Sequence, residues 1–395
     1  MRRWASIVLL VGLVAVSTGS SAPVHYPAEN GWIAFVSDRP ESGQGDFRLY
    51  RLDPVGGGVR PIPGLQGRHP AWSPDGSLIA YVDLGWQLVV ARADGRRVRA
   101  LTRDQYLYRD PAWSPDGSHI AVKRFTPRRA AGDIVVVNVT TTRKQRLTRT
   151  WQDDSEPAWS PDGSVITFVS NRIGDGIGDR ELFVIRPDGR FLRQLTVNAV
   201  EDVSPAWSPD GSLIAFVSGR KPGQFNPELW TMRADGSDER RVQPAAAPGG
   251  FPSWADEEPS WSPDGQWLVY VTSETNYPAN IFIVRPDGSG KTDLTPETRS
   301  QDLHPAWQPV CSHRSTAGSE VVRGGATDDR LCGFGGNDTL VGGMGRDGMY
   351  GGGGNDYIRA RDQSFDVVGC DPGRDEVVAD RVDLVGVDCE RVRRG

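Results

Sequence analysis

The chain has 395 residues, a formal net charge of −6, 47 glycines and 29 prolines. A mean hydropathy of −0.44 excludes a polytopic membrane protein, while 37% hydrophobic residues still supply a core. The acidic balance offers no basic patch to phosphates, which excludes nucleic acid as a partner, and so much glycine and proline suits a chain that turns often.

Residues 1–22 read as a secretory signal. Arg2 and Arg3 give the positive start, Ile7 to Val16 an apolar run, and Ser20-Ser21-Ala22 a small-residue cleavage site before Pro23. The run is shorter than the about 20 residues a membrane span takes, so the protein is expected not to span a membrane; an uncleaved anchor is the alternative. Without the leader the charge is about −8, by subtraction of its two arginines. The expected location is outside the cell or in the envelope, the periplasm where the host has one.

Residues 23–310 carry one phrase again and again. It stands as Pro70-Ala71-Trp72-Ser73-Pro74-Asp75-Gly76, then at 111–117, 157–163, 205–211 and 259–265, and ends degraded at Pro305-Ala306-Trp307. The tryptophans step by 41, 46, 48, 54 and 46 residues, periods that mark propeller blades. After each Ser-Pro-Asp-Gly comes an apolar strand, as at Leu78 to Val82, then a polar loop and a second strand, as at Glu181 to Ile185 or Asn280 to Val284. A turn such as Ala93-Asp94-Gly95 leads to a third strand ending in Leu-Thr, as at Leu101-Thr102. With the Pro-Ala-Trp strand, that makes four strands per unit. Proline presets the first turn position, aspartate bonds the backbone beyond it and glycine takes a positive φ, so Pro-Asp-Gly instructs a hairpin. The tryptophan supplies a large apolar surface for packing between blades. The count is six blades, the strands from Trp32 to Ile62 sharing one blade with the final Pro305-Ala306-Trp307, which removes exposed sheet edges.

The residues before each blade's proline are His69, Asp110, Glu156, Ser204, Glu258 and His304. In a closed ring they encircle one channel mouth, with Glu258, His304, His69, Asp110 and Glu156 consecutive. Such a ring either binds a cation, a basic peptide or a metal through the two histidines, or is a solvated rim. Variable loops on the same face, from Arg39, Arg172, Arg220 and Ser273 onward, have the character of binding loops; Asp175 and Asp179 either hold calcium or belong to a plain turn.

Residues 31–309 resemble the TolB-type propeller repeat, whose signature these phrases match. The resemblance implies the fold; TolB's separate N-terminal domain is not seen here, so it does not carry a role in the Tol–Pal envelope system.

Residues 311–395 change composition. Four nine-residue steps begin at Gly324, Gly333, Gly342 and Gly351, with aspartate always sixth (Asp329, Asp338, Asp347, Asp356) and Leu331, Leu340, Met349 or Ile358 eighth. This pattern resembles the Gly-Gly-x-Gly-x-Asp repeat of RTX-type, or haemolysin-type, calcium-binding β-rolls. The resemblance implies two repeats per turn, so that Asp338 lies over Asp356 and Asp329 over Asp347, each ion bridging such neighbours. Glycines, among them Gly336, Gly343, Gly345, Gly352 and Gly354, allow turns that aim carbonyl oxygens inward, and aspartate adds the hard anionic oxygen that Ca²⁺ needs. Without calcium the repeat is expected to be largely unfolded. Weaker repeats continue through Asp366 and Asp375.

All four cysteines, Cys311, Cys332, Cys370 and Cys389, lie in this last segment. An even number in an exported chain points to disulfides; three pairings are possible, and 311–332 with 370–389 is favoured because each closes a short loop. No Gly-x-Ser-x-Gly elbow, His-Glu-x-x-His, P-loop or dinucleotide fingerprint occurs. The expectation is therefore an all-β chain, a six-bladed propeller followed by a short parallel β-roll: a secreted, calcium-binding, non-catalytic protein that holds a protein, peptide or cell-wall ligand on the funnel face. The alternative is an extracellular lyase or hydrolase on sugars or peptides using the His and carboxylate groups at the channel mouth.

Overall fold

The computed structural model describes residues 31–39, 47–54, 58–172, 180–219, 228–242, 254–273, 279–296, 300–315, 318–333, 336–370, 373–387 and 389–395. The leader, most of the four variable loops, and Asp175 and Asp179 lie outside the described residues. Among the described residues the secondary structure is all β, and no helix is long and apolar enough to cross a membrane.

The first part is built of four-strand antiparallel meanders. Four of them are separate sheets; the other two share one long strand, Val59–Trp72, and so form a seven-stranded sheet. The residues 59–62, expected as a strand of their own, run straight into the Pro-Ala-Trp strand of the next meander. Ring closure follows the expected pairing: Ile33–Ser37 lies antiparallel to Asp302–Trp307, with Ile33 opposite Trp307 and Ala34 opposite Ala306. Each third strand is shorter than its sequence suggests, only two residues in Arg99–Ala100. The threonine after it explains why the strand stops: Thr102 Oγ1 takes the N–H of Leu88 at 2.9 Å, as Thr148, Thr196 and Thr295 take those of Ile134, Leu182 and Ile281. A side chain thus replaces the next backbone rung.

The recurring tryptophan links one meander to its neighbour. Trp72 Nε1 donates to Ala306 O, Trp113 Nε1 to Ala71 O and Trp261 Nε1 to Ala206 O, each at 3.0–3.1 Å. The ring therefore sits over Pro-Ala of the preceding inner strand, which gives the repeat its need for a small residue there. After five of the six inner strands, the serine before Pro-Asp-Gly accepts a strand N–H while its hydroxyl donates to the aspartate, as in Ser73 with Leu78 (2.9 Å) and Asp75 (2.5 Å).

The last part is a parallel two-sheet solenoid. Strands repeat every second element, Val322 beside Leu340 beside Ile358 in one sheet and Leu331 beside Met349 beside Val368 in the other. These eighth-place residues form a thin buried stack. Both favoured disulfides are present, Cys311–Cys332 and Cys370–Cys389. The roll lies against the Ser-Pro-Asp-Gly turns: Arg330 donates to Pro74 O (2.9 Å), Tyr350 Oη to Pro115 O (3.1 Å) and Arg346 to Asp210 O (3.1 Å). Those turns follow the inner strands that carry His69, Asp110 and Ser204, so the roll lies on the propeller face that bears the Ser-Pro-Asp-Gly turns.

Candidate functional site

Every inner strand breaks its ladder at the same place. The proline has no N–H to donate, and the register slips between the residues flanking it, as between Arg68 and Ala71 or Arg109 and Ala112. The residue before each proline is driven into the left-handed region: His69 at φ 52°, Asp110 at 55°, Glu156 at 52°, Ser204 at 53°, Glu258 at 54° and His304 at 54°. Glycine adopts this conformation freely, yet none of the six is glycine. Each costs about 1–3 kcal/mol of backbone strain, a cost that recurs where a side chain must be aimed at a site.

The aimed side chains form two groups. Glu258, His304, His69 and Asp110 make a continuous arc across the seam where the ring closes. His304 Nδ1 meets Glu258 Oε1, the two imidazoles lie tilted by 39° with centroids 3.9 Å apart, and His69 Nδ1 lies 3.0 Å from Asp110 Oδ1. The expected fifth member of the arc, Glu156, instead turns to the other side. Its Oε2 accepts from Ser204 N at 2.7 Å and Ser204 Oγ at 3.2 Å, with Arg180 at 3.7 Å from Oε1. The arc and Glu156 are mostly shielded but reachable, with side chains 15–30% exposed.

Burial, with the neighbouring His304, holds His69 below the usual imidazole value although Asp110 opposes this. Burial pushes Asp110 up, but the His69 contact outweighs it and leaves this carboxyl below the ordinary range. Glu258 behaves likewise against His304. Glu156, buried and facing the charge of Asp110, is pushed up to about 7. The site thus sets carboxyls held below their ordinary range against imidazoles on one side and a carboxyl raised to about 7 on the other. Such a lining can hold a cation or move a proton.

The roll presents a second site. Its aspartates stack in two ladders, each Oδ1 accepting the backbone N–H one full turn earlier: Asp356 from Asp338 (2.7 Å), Asp338 from Glu320 (2.8 Å), Asp347 from Asp329 (2.9 Å). The ladders run on through Asp366, Asp375 and Asp383, taking the N–H of Asp347, Asp356 and Asp366. Asp329 ends its ladder, with Oδ1 against Ser312 Oγ (3.1 Å) and His313 Nδ1 (3.3 Å). The second oxygens of Asp347 and Asp356 are buried with no hydrogen-bond donor. Burial and neighbouring carboxylates push Asp347 up to about 6, and Asp356 and Asp366 up to about 7. Gly336, Gly343, Gly345, Gly352 and Gly354 all have positive φ, and the stacked coils leave no room for a side chain: a Cβ on Gly343 would stand 2.1 Å from Gly325 O. Orphaned anionic oxygens beside backbone turns are what a hard cation completes, and they imply Ca²⁺ binding.

A profile of the TolB β-propeller domain matches residues 33–177 and 85–309, which together span most of the chain. The chain belongs to the TolB β-propeller domain family. Residues 315–349 and 333–363 match the RTX calcium-binding nonapeptide repeat, present in four copies. No curated protein matches the sequence. Among solved structures, TolB from Acinetobacter baumannii superposes with a TM-score of 0.59 at 23% identity, over 71% of this chain and 67% of that one. A TolB homologue from Agrobacterium tumefaciens gives 0.51 at 19% identity, over 71% and 99%. Hydrazine synthase of Kuenenia stuttgartiensis gives 0.56 at 14%, over 71% and 47%. At these identities the likeness is one of fold. The RTX repeats and the disulfides in this TolB-type chain point to an extracellular protein.

The six residues expected at a channel mouth stand inside their inner strands, as His304 in Asp302–Trp307 and Glu156 in Asp154–Trp159, and the partners they take carry no sequence signal. Arg180 and Lys123, whose charges reach Glu156 and Asp110, sit on strands or loops with no motif. Asp366 and Asp375 read only as weak repeats and Asp383 carries no repeat signal, because the spacing slips from nine.

Proposed function

We propose that this is an exported binding protein whose TolB-type propeller takes a protein, peptide or cell-wall ligand at the open channel mouth, while calcium-loaded repeats lie on the face that bears the Ser-Pro-Asp-Gly turns. The observation that carries this reading is the set of six strained, non-glycine residues aimed into one mouth. In the roll, Asp338, Asp347 and Asp356 would hold the calcium through their orphaned or inner oxygens, assisted by carbonyls of the glycine turns; Ca²⁺ supplies the positive charge that the two ladders lack. Folding of the roll after export into a calcium-rich medium fits this order.

The test is a binding panel of peptides and cell-wall fragments, read by fluorescence anisotropy with the full chain in calcium. The expected result is a ligand whose affinity drops at least about tenfold in Asp110→Asn or Glu156→Gln, variants that remove charge but keep shape. A ligand bound equally by both variants would place binding elsewhere.

The paired His304–Glu258 and His69–Asp110 groups favour one second reading, an enzyme acting on sugars or peptides with these pairs as acid and base. Turnover of a polysaccharide or peptide substrate that disappears in His69→Gln and His304→Gln would establish it in place of simple binding.

A further inference from the structure

We propose that His69, His304 and Glu258 form a binding site for one divalent transition-metal ion, of which Zn²⁺ is the probe, chemically distinct from the calcium ladders of the roll. Each of the three offers a ligand atom, and these atoms all lie within 4.8 Å of one another. Among the described residues no other His, Cys, Asp or Glu trio is brought together in this way. Ligand atoms around a tetrahedral zinc stand about 3.4 Å apart, a gap that a small turn of either ring closes.

Three features of the geometry point to a ligand rather than to a polar rim. The two imidazoles stand with ring centroids 3.9 Å apart, close enough for both to reach one ion. The Nδ1 of His69 faces Asp110 at 3.0 Å, and the Nδ1 of His304 meets Glu258 Oε1, the contact an ion would enter. Asp110 then acts as the outer carboxylate that orients a metal-bound histidine. Glu258 Oε2 is buried and accepts no hydrogen bond, so this anionic oxygen has no satisfied partner within the protein.

The donor set selects the metal. Two imidazole nitrogens and one carboxylate oxygen suit Zn²⁺ and its first-row neighbours, whereas Ca²⁺ takes oxygen ligands alone. The three residues are fixed before any ion arrives, because each stands on a left-handed bulge locked by the following proline, on strands that meet at the ring seam. Three protein ligands leave at least one coordination position open, facing the channel, where a donor group of an incoming molecule can bind the ion.

The experiment uses the full chain with calcium present to saturate the roll. Zn²⁺ is added, the protein is dialysed, and bound metal is quantified; Co²⁺ replaces Zn²⁺ to give visible ligand-field bands. The expected result is about one Zn²⁺ per chain, with Co²⁺ bands typical of a four-coordinate nitrogen and oxygen site. His69→Ala and His304→Ala abolish both. Glu258→Gln weakens binding at least about tenfold, and Asp110→Asn, which removes only the orienting carboxylate, weakens it about 10–100-fold while the bands persist at higher metal. His304→Gln, which keeps a polar side chain of similar length at the bulge, serves where the alanine variant fails to fold. Zinc retained after both histidines are replaced, or no zinc taken up by the wild-type chain, overturns the site.

Discussion

The two parts of the molecule treat buried charge differently: the propeller pairs Asp154 with Arg172 and Asp302 with Arg39, while the roll stacks carboxylates on one another. The propeller buries Trp267, Tyr270, Phe35, Phe168 and Phe216, and Trp72, Trp113 and Trp261 tie neighbouring meanders by hydrogen bonds to backbone carbonyls. The roll buries a thin stack of Leu331, Leu340, Met349 and Ile358 together with Asp338, Asp347, Asp356, Asp366, Asp375 and Asp383. Large apolar surface stabilises the first without help. The second places anions in its interior, which costs free energy until a cation meets them. One chain therefore contains a part whose stability is written in its core and a part whose stability is supplied by its medium.

The sharpest way to break this comparison is pH in calcium-free solution. Asp347, at about 6, and Asp356 and Asp366, at about 7, hold protons in the folded roll that the unfolded chain releases near pH 4. Their contribution is fully present below that pH and is lost as the pH rises through 6 to 7. Circular dichroism of the chelated protein should therefore show the roll gaining structure as the pH falls from about 8 to about 5. Loss of structure over that range would contradict the burial argument. Trp72→Ala tests the other part: it should lower propeller stability by about 3–5 kcal/mol in calorimetry while calcium affinity stays unchanged. Replacing Cys370 and Cys389 by serine should destabilise the roll by about 2–5 kcal/mol and leave the propeller transition in place. The smallest effect expected is at the mouth. Ser204→Gly relieves a left-handed residue at φ 53° and should raise propeller stability by up to about 1 kcal/mol in denaturant titration; a loss of several would remove the strain argument.

Much of this was legible in the residues. The strands Glu181–Ile185 and Asn280–Val284 fall where alternation and flanking turns put them, and the closure of Ile33–Ser37 on Asp302–Trp307 follows from two incomplete units. Both disulfides follow from short loops. The left-handed backbone at the mouth was not legible, because a residue before proline ordinarily prefers an extended conformation and only the bulge overrides this. Glu156 pairing with Ser204 rather than joining the histidine arc depends on side-chain direction across neighbouring blades, which spacing does not encode. The later aspartates were obscured because their steps after Asp356 are ten, nine and eight residues, yet loops of unequal length still return each to the ladder. Docking of the roll uses carbonyls of Pro74, Pro115 and Asp210, and backbone acceptors leave no mark in a sequence.

Hydrogen exchange of the full chain, read by mass spectrometry in calcium and again in chelator, tests the contrast most directly. Amides of residues 318–395 should lose protection when calcium is removed, together with those of the Ser-Pro-Asp-Gly turns beneath the roll, while strands such as Ile166–Ser170 and Leu213–Ser218 stay protected. Equal protection of the roll in both conditions, or loss across the propeller strands as well, would contradict it.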